Sequence, residues 1–194
     1  MSVSLVKGQK LSLSKEVEGL KKVVVGLGWD VASQKKGLFG RSYTPDIDCD
    51  ASAISIDANG KYRTIAYFGR RSIENNAIIH HGDNLTGAGE GDDEQITVDL
   101  ASMPGGVEKV VFVVNIYACR SRGQHFGMIN NAFIRLVDKS TGKEICRYNL
   151  SDDYNDKTAM IFGEVYKHNG EWKFNALGQG TTDTSINEVA SRYR

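Results

Sequence analysis

The segment HGDNLTGAGEGDDEQ (81–95) gathers five carboxylates and four glycines. Asp83, Asn84, Thr86, Glu90, Asp92, Asp93 and Glu94 are all hard oxygen donors. Crowded like charges repel, and glycine loses more backbone entropy on ordering than any other residue. A bound cation offsets the repulsion. The glycines let a short loop fold back and aim carbonyls inward. Calcium takes about six to eight oxygens in flexible geometry, whereas magnesium demands a tighter octahedron and keeps its waters. A long, carboxylate-dense loop therefore favours calcium. The alternative is a solvated acidic turn with no ligand.

Nearby motifs imitate known sites and fail at particular residues. In DIDCDASAISID (46–57), Asp46, Asp48, Asp50 and Asp57 fall at EF-hand positions, but Ala51 stands where the sharp turn needs glycine. Three aspartates ahead of a strand remain a source of ligands. In the acidic loop, Asp83 and Glu94 have the end-to-end spacing of an EF-hand, but Leu85 and Gly87 occupy ligand positions. GLGWDV (26–31) opens like a dinucleotide fingerprint, but Val31 replaces its third small residue. Glycines at a strand end, allowing close packing, are the better reading. No lysine follows the glycine loop as in a phosphate cradle, and its carboxylates would repel an anion. His80 and His81 are adjacent and cannot converge on one strand, and His125 and His168 are isolated. Asp92 and Asp93 could form an acid–base pair, which keeps a hydrolase open as an alternative.

The charge balance narrows the partners. Lys+Arg and Asp+Glu number 24 each, so no nucleic-acid partner is expected. Locally the balance breaks. Between Arg71 and Lys109 there is no lysine or arginine, yet that interval holds eight acids, a pattern that selects cations or basic partners. Cys49, Cys119 and Cys146 show no paired spacing and read as buried, poorly reactive free thiols. The N-terminal residues lack a signal-type apolar core and no run reaches membrane-helix length, so a soluble, cytoplasmic chain is expected.

The elements that must position these donors read as β. The runs 21–29, 51–57, 95–100, 108–118, 132–138 and 163–174 are short, β-branched and bounded by turn residues. Asn169-Gly170 marks a hairpin. Residues 185–193 suggest one short peripheral helix. The expectation is an all-β fold: an antiparallel sandwich of two sheets in a single domain over 1–194. KKVVVGLGWD then DASAISID is echoed by EKVVFVVNIYA then NAFIRLVD, and each pair leads to an acidic loop, at 82–94 and 149–158. The echo suggests two related halves.

Five motifs in order, KKVVVGLGWD, DASA, HGDNLTGAGEGDDEQITVDL, RGQHFGMINNAFIRL and MIFGEVYKHNGEWKFNALGQG, resemble the TerD-like family of bacterial tellurium-resistance and stress proteins. The resemblance spans nearly the whole chain. It implies a two-sheet sandwich, calcium held by acidic loops, and a role in tellurite, phage and general stress responses. Its acidic loop matches Asp83, Asn84, Thr86, Glu90, Asp92, Asp93 and Glu94; its Trp-Asp strand end matches Trp29 and Asp30; and its Asp-x-Asp-Ala-Ser matches Asp48 to Ser52. If the strands at 23–30 and 50–57 run antiparallel, Asp30 and Asp48 share a sheet end and close the coordination sphere. The stretches YFGRRSIENNAII (67–79) and GLFGRSYTP (37–45) depart from the family pattern, and neither is expected to touch the acidic loop.

The expected function is a calcium-binding module in stress or tellurite resistance, not an enzyme. Its expected partners are calcium ions and other Ter-type proteins, including a membrane-embedded one. The alternatives are a scaffold in which calcium is purely structural, and a metal-dependent phosphoesterase or nucleotide-processing enzyme.

Overall fold

Two strand patterns build the core of the molecule. In the run around 51–56, Ala51 and Ala53 face the interior between two sheets, while Ile54 and Ile56 face an outer apolar cluster. In the run around 110–114, Val110, Phe112 and Val114 face inward and Val111 and Val113 outward. Strands buried on both faces lose the apolar–polar alternation and read as continuous apolar runs. The computed structural model describes residues 2–31, 35–36, 42–43, 47–83, 91–150 and 152–194, with backbone alone at 31, 35, 36, 42, 43 and 83.

The elements in chain order are β1 (Val3–Leu5), β2 (Lys10–Ser12), α1 (Leu13–Glu16), β3 (Lys22–Val31), β4 (Lys35–Lys36), β5 (Ser42–Tyr43), β6 (Cys49–Ile56), β7 (Tyr62–Ala66), β8 (Ser72–Ile73) and β9 (Ile78–Asp83). They continue with β10 (Glu94–Asp99), β11 (Lys109–Ile116), α2 (Cys119–Arg122), β12 (Ile129–Asp138), β13 (Glu144–Asn149), β14 (Ala159–His168), β15 (Glu171–Thr181) and α3 (Ile186–Ser191). One sheet runs β1-β13-β12-β3-β10-β9-β8 and the other β2-β15-β14-β11-β6-β7. Apart from the parallel β1–β13 edge, the pairings in both are antiparallel. This is the all-β sandwich with short peripheral helices that the strand pattern predicts. The helix expected near the C-terminus is α3. It is capped by Ser185, which accepts the Glu188 N–H, and it buries Val189 and Ala190 on the outer face of the second sheet.

The echo has a physical basis with a limit. In each half the first long strand and its successor go to opposite sheets. β3 then pairs with β12 (Leu27↔Ile134) and β11 with β6 (Phe112↔Ala53), so the halves interlock at the centre of both sheets. The closing hairpins break the correspondence: β10 lies beside β3, but β14 lies beside β11. The two acidic loops are therefore not equivalent. The first joins β9 to β10 within a sheet, and the second, after β13, crosses to the other sheet. β3 and β6 are not an antiparallel pair either. They lie in opposite sheets, where β6 packs against β9 and β10, and their acidic termini share one end of the sandwich.

Candidate metal centre

The strand registers decide which acids meet. In β10, Glu94 stands opposite Leu27 of β3 on one side and Asp83 of β9 on the other. The acidic loop is thus the β9–β10 connection, at the end of the sandwich where β3 finishes and β6 begins. Asn84, Thr86 and Glu90 lie outside the described residues, and Asp83 is placed by its backbone alone.

The last residues of the loop are pinned to β3. The Asp93 N–H donates to the Leu27 carbonyl at 2.8 Å, and the Trp29 N–H donates to Asp93 Oδ2 at 2.7 Å. Burial, helped by the charges of Asp30 and Asp92, pushes the Asp93 carboxyl above the usual carboxylate range, against the lowering effect of the Trp29 N–H. Asp30 Oδ2 accepts from the Asn131 side-chain amide at 2.8 Å. Asn131 sits at φ 52° in an irregularity between Asn130 and Phe133 of β12, which turns its side chain toward the end of β3.

Across the sandwich, the Asp48 carbonyl accepts from the Tyr117 N–H at 2.8 Å, which extends the β6–β11 pairing to the acidic end. Cys49, between Asp48 and Asp50, registers the whole group. Burial first, then the charges of Asp50, Asp48, Glu94 and Asp93, push its thiol well above the ordinary cysteine range. Cys119 and Cys146 are buried too, and burial raises Cys146 to about 12. Burial shields all three from a reagent, and Cys49 and Cys146 are also held in the thiol form. An aromatic disulfide reagent is expected to label no cysteine in the native protein and all three in denaturant; fast native labelling of Cys49 would contradict this placement.

Two of the predicted ligands are committed elsewhere. The Asp92 side chain is 1% exposed and takes a two-pronged contact from Arg135, Nε to Oδ1 at 2.7 Å and a terminal guanidinium nitrogen to Oδ2 at 3.1 Å. Gln95 adds a third donor at 3.0 Å. The carboxylate lies flat on Gly26, where a Cβ would sit 2.2 Å from it. Gly28 does the same for the Phe133 ring, with 2.3 Å to a Cβ, and the Arg147 guanidinium stacks 3.6 Å above that ring's centroid. The glycines of GLGWDV therefore serve close packing.

Glu94 is 4% exposed and braces the two sheets. Its Oε2 accepts the Ala51 N–H at 3.1 Å and lies 3.0 Å from His80 Nε2. His80 Nδ1 accepts the Gly82 N–H at 2.9 Å, which leaves the Nε2 proton between Glu94 and the Ala51 carbonyl at 3.1 Å. His81 turns to the opposite face and meets Thr97 Oγ1 at 2.7 Å. The segment 67–79 does adjoin the acidic loop, contrary to the sequence expectation: the Arg71 carbonyl accepts the His80 N–H, and its guanidinium packs 3.0 Å from where a Cβ on Gly82 would stand. The segment 37–45 falls almost wholly outside the described residues.

Asp30, Asp48 and Asp93 differ from Asp92 and Glu94. Asp30 and Asp93 each commit one oxygen to a hydrogen bond, and the Asp48 side chain makes none among the described residues. Among those residues, no group of three or more His, Cys, Asp or Glu side chains is already arranged to hold a metal ion. Sequence reading found the acids, Asp50 among them in Asp-x-Asp, but missed Arg135, His80 and Asn131 as their neighbours, which arrive through strand register.

The family model of the TerD domain matches residues 1–193. Stress response protein SCP2 of Bacillus subtilis (strain 168) is 49% identical over 199 residues and covers 100% of both chains. Tellurium resistance protein TerD of Serratia marcescens is 45% identical over 183 residues, 93% of this chain and 91% of its own. A solved homologue of telluride resistance protein TerD from Streptomyces coelicolor shares the fold, with a TM-score of 0.67 at 21% identity over 91% of this chain and 99% of that one. The described residues include no helix long and apolar enough to cross a membrane. The chain belongs to the TerD family of tellurium-resistance and stress-response proteins.

Proposed function

We propose that the protein is a calcium-binding module of the bacterial stress and tellurium response, working in the cytoplasm by presenting a calcium-dependent surface to partners and not by catalysis. One observation supports this above the others: acids from separate elements share one end of the sandwich, where Asp93 is held above its ordinary range by burial and by Asp30 and Asp92. A fold that gathers carboxylates against their own repulsion is suited to a cation, and oxygen donors without imidazole or thiolate suit calcium. Asp30, Asp48 and Asp93, with Asp83, Asn84, Thr86 and Glu90 of the loop, would hold it. Asp92 and Glu94 would act one step back, fixing the loop to β3 and β6. When bound, calcium supplies positive charge and oxygen contacts that order the loop. The partners in this reading are other Ter-type proteins, one of them membrane-embedded.

Calcium titration of metal-stripped protein by calorimetry, with magnesium as competitor, tests the proposal. Calcium at 100 times its dissociation constant should stabilise the fold by about 2.7 kcal/mol per site. Asp93→Asn keeps an acceptor for the Trp29 N–H and should weaken calcium binding while leaving the metal-free fold intact. A flat titration together with an unchanged unfolding midpoint would reject the reading.

A further inference from the structure

The rim of the acidic end is of opposite character to its centre. Phe68 is 53% exposed and Tyr117 is 55% exposed, two of only three large apolar side chains more than half exposed among the described residues. Phe68 tops a tight turn closed by reciprocal Tyr67 and Arg70 backbone hydrogen bonds at 3.1 and 2.9 Å. Arg70 and Arg71 follow it, both exposed. Tyr117 opens the turn into α2, whose Arg120 and Arg122 are exposed, and the Arg122 guanidinium lies 5.7 Å from the Tyr117 ring centroid.

The sheet brings the two turns together. β7 and β11 flank β6 on either side. Ala66 of β7 pairs with Ala53, and the Tyr117 N–H reaches the Asp48 carbonyl. The turns after β7 and β11 therefore leave the sandwich beside the Asp48–Asp50 stretch, one on each side. Each carries one exposed aromatic ring and two exposed arginines.

An exposed ring beside guanidinium groups suits the headgroup level of a bilayer: the ring takes the apolar boundary and the arginines take lipid phosphates. The acids between the turns oppose that attraction for as long as they are unneutralised. We propose that this end of the sandwich docks on an anionic phospholipid surface through Phe68, Tyr117, Arg70, Arg71, Arg120 and Arg122 once a divalent cation neutralises the acids between them. The cation dependence rests on the calcium reading above; the rim itself stands on its own residues. An anionic bilayer fits better than an acidic protein because spaced exposed rings and arginines on two separate turns match the headgroup level of a bilayer without needing a shaped partner surface.

The test is co-sedimentation with phosphatidylcholine vesicles, with and without phosphatidylglycerol, in calcium and in chelator, alongside calorimetry of calcium alone. The expected result is sedimentation with phosphatidylglycerol vesicles in calcium, release by salt, and none with pure phosphatidylcholine. Each arginine near an anionic surface contributes about fivefold to partitioning, so the double variant Arg70→Gln/Arg120→Gln should bind about 25-fold more weakly. Phe68→Ser/Tyr117→Ser should also lose vesicle binding while leaving the calcium titration unchanged, because both rings are exposed. If calorimetry shows calcium bound and the vesicles do not sediment the protein, or these variants sediment as the parent does, the docking surface is rejected while the calcium reading stands. If calorimetry shows no calcium uptake, the calcium reading falls and the chelator arm decides the rim: variant-sensitive sedimentation keeps it, and none overturns it.

Discussion

Asp92→Ala is expected to lower the unfolding free energy of the metal-free protein by about 2–3 kcal/mol. A free loop carboxylate would give the opposite sign, because removing one of several like charges relieves repulsion. Asp92 is different because its side chain is 1% exposed and bonded twice by Arg135. Truncation leaves the guanidinium with Glu144, 3.4 Å away, as its one remaining ion pair among the described residues. Breaking a buried pair from one side costs about 3–5 kcal/mol. The Arg135 side chain is 29% exposed, so water recovers part of that. Gly26→Ala should be at least as damaging, since its Cβ would sit 2.2 Å from a carboxylate that Arg135 holds in place. Denaturant unfolding in chelator, run as a double-mutant cycle with Arg135→Met, measures the coupling. A coupling near zero would mean that Asp92 is an ordinary solvated acid, available as a ligand.

That result bears on what the sequence discloses. Donor chemistry is written in residue types, so the acidic segment, its glycines and Asp-x-Asp are visible without a structure. Whether a given donor is free depends on partners far along the chain. Asp92 and Arg135 are 43 residues apart and meet because β12 and β10 pair with β3 on either side. Glu94 and Ala51 are also 43 residues apart and meet across the sandwich. Neither distance leaves a local signal. The strands followed the same rule. Those with β-branched runs were legible, and Asn169-Gly170 made its hairpin with φ 54° and 76° at the two residues. β9 was hidden by its two histidines, one of which turns into the core and the other away from it. β13 was hidden by charged residues on its outer face, although Cys146 and Tyr148 are buried. Alternation tells which face is apolar but not which sheet a strand joins, so β3 and β6 could be read as neighbours when they lie in opposite sheets.

Glu94→Ala should be the most destabilising change at the acidic end, by about 3–5 kcal/mol, and equally so with and without calcium. The carboxylate lies between the sheets at 4% exposure. It is the acceptor for the Ala51 N–H at the start of β6 and an acceptor beside the His80 Nε2 proton. Removal leaves a buried N–H unsatisfied, which alone costs about 1–3 kcal/mol, and opens a void against His80. The Nε2 proton keeps the Ala51 carbonyl, and Nδ1 keeps the Gly82 N–H, so the ring itself stays anchored. Glu94→Gln separates geometry from charge. Its amide oxygen can take the place of Oε2 and accept from both Ala51 and His80, so the loss should be less than half that of the alanine variant. A ligand carboxylate would behave otherwise: both variants would unfold like the parent in chelator and lose only the stabilisation that calcium adds. Chemical denaturation of parent, Glu94→Ala and Glu94→Gln under both conditions tells these apart, because a brace shifts the midpoint in chelator and a ligand shifts it only in calcium.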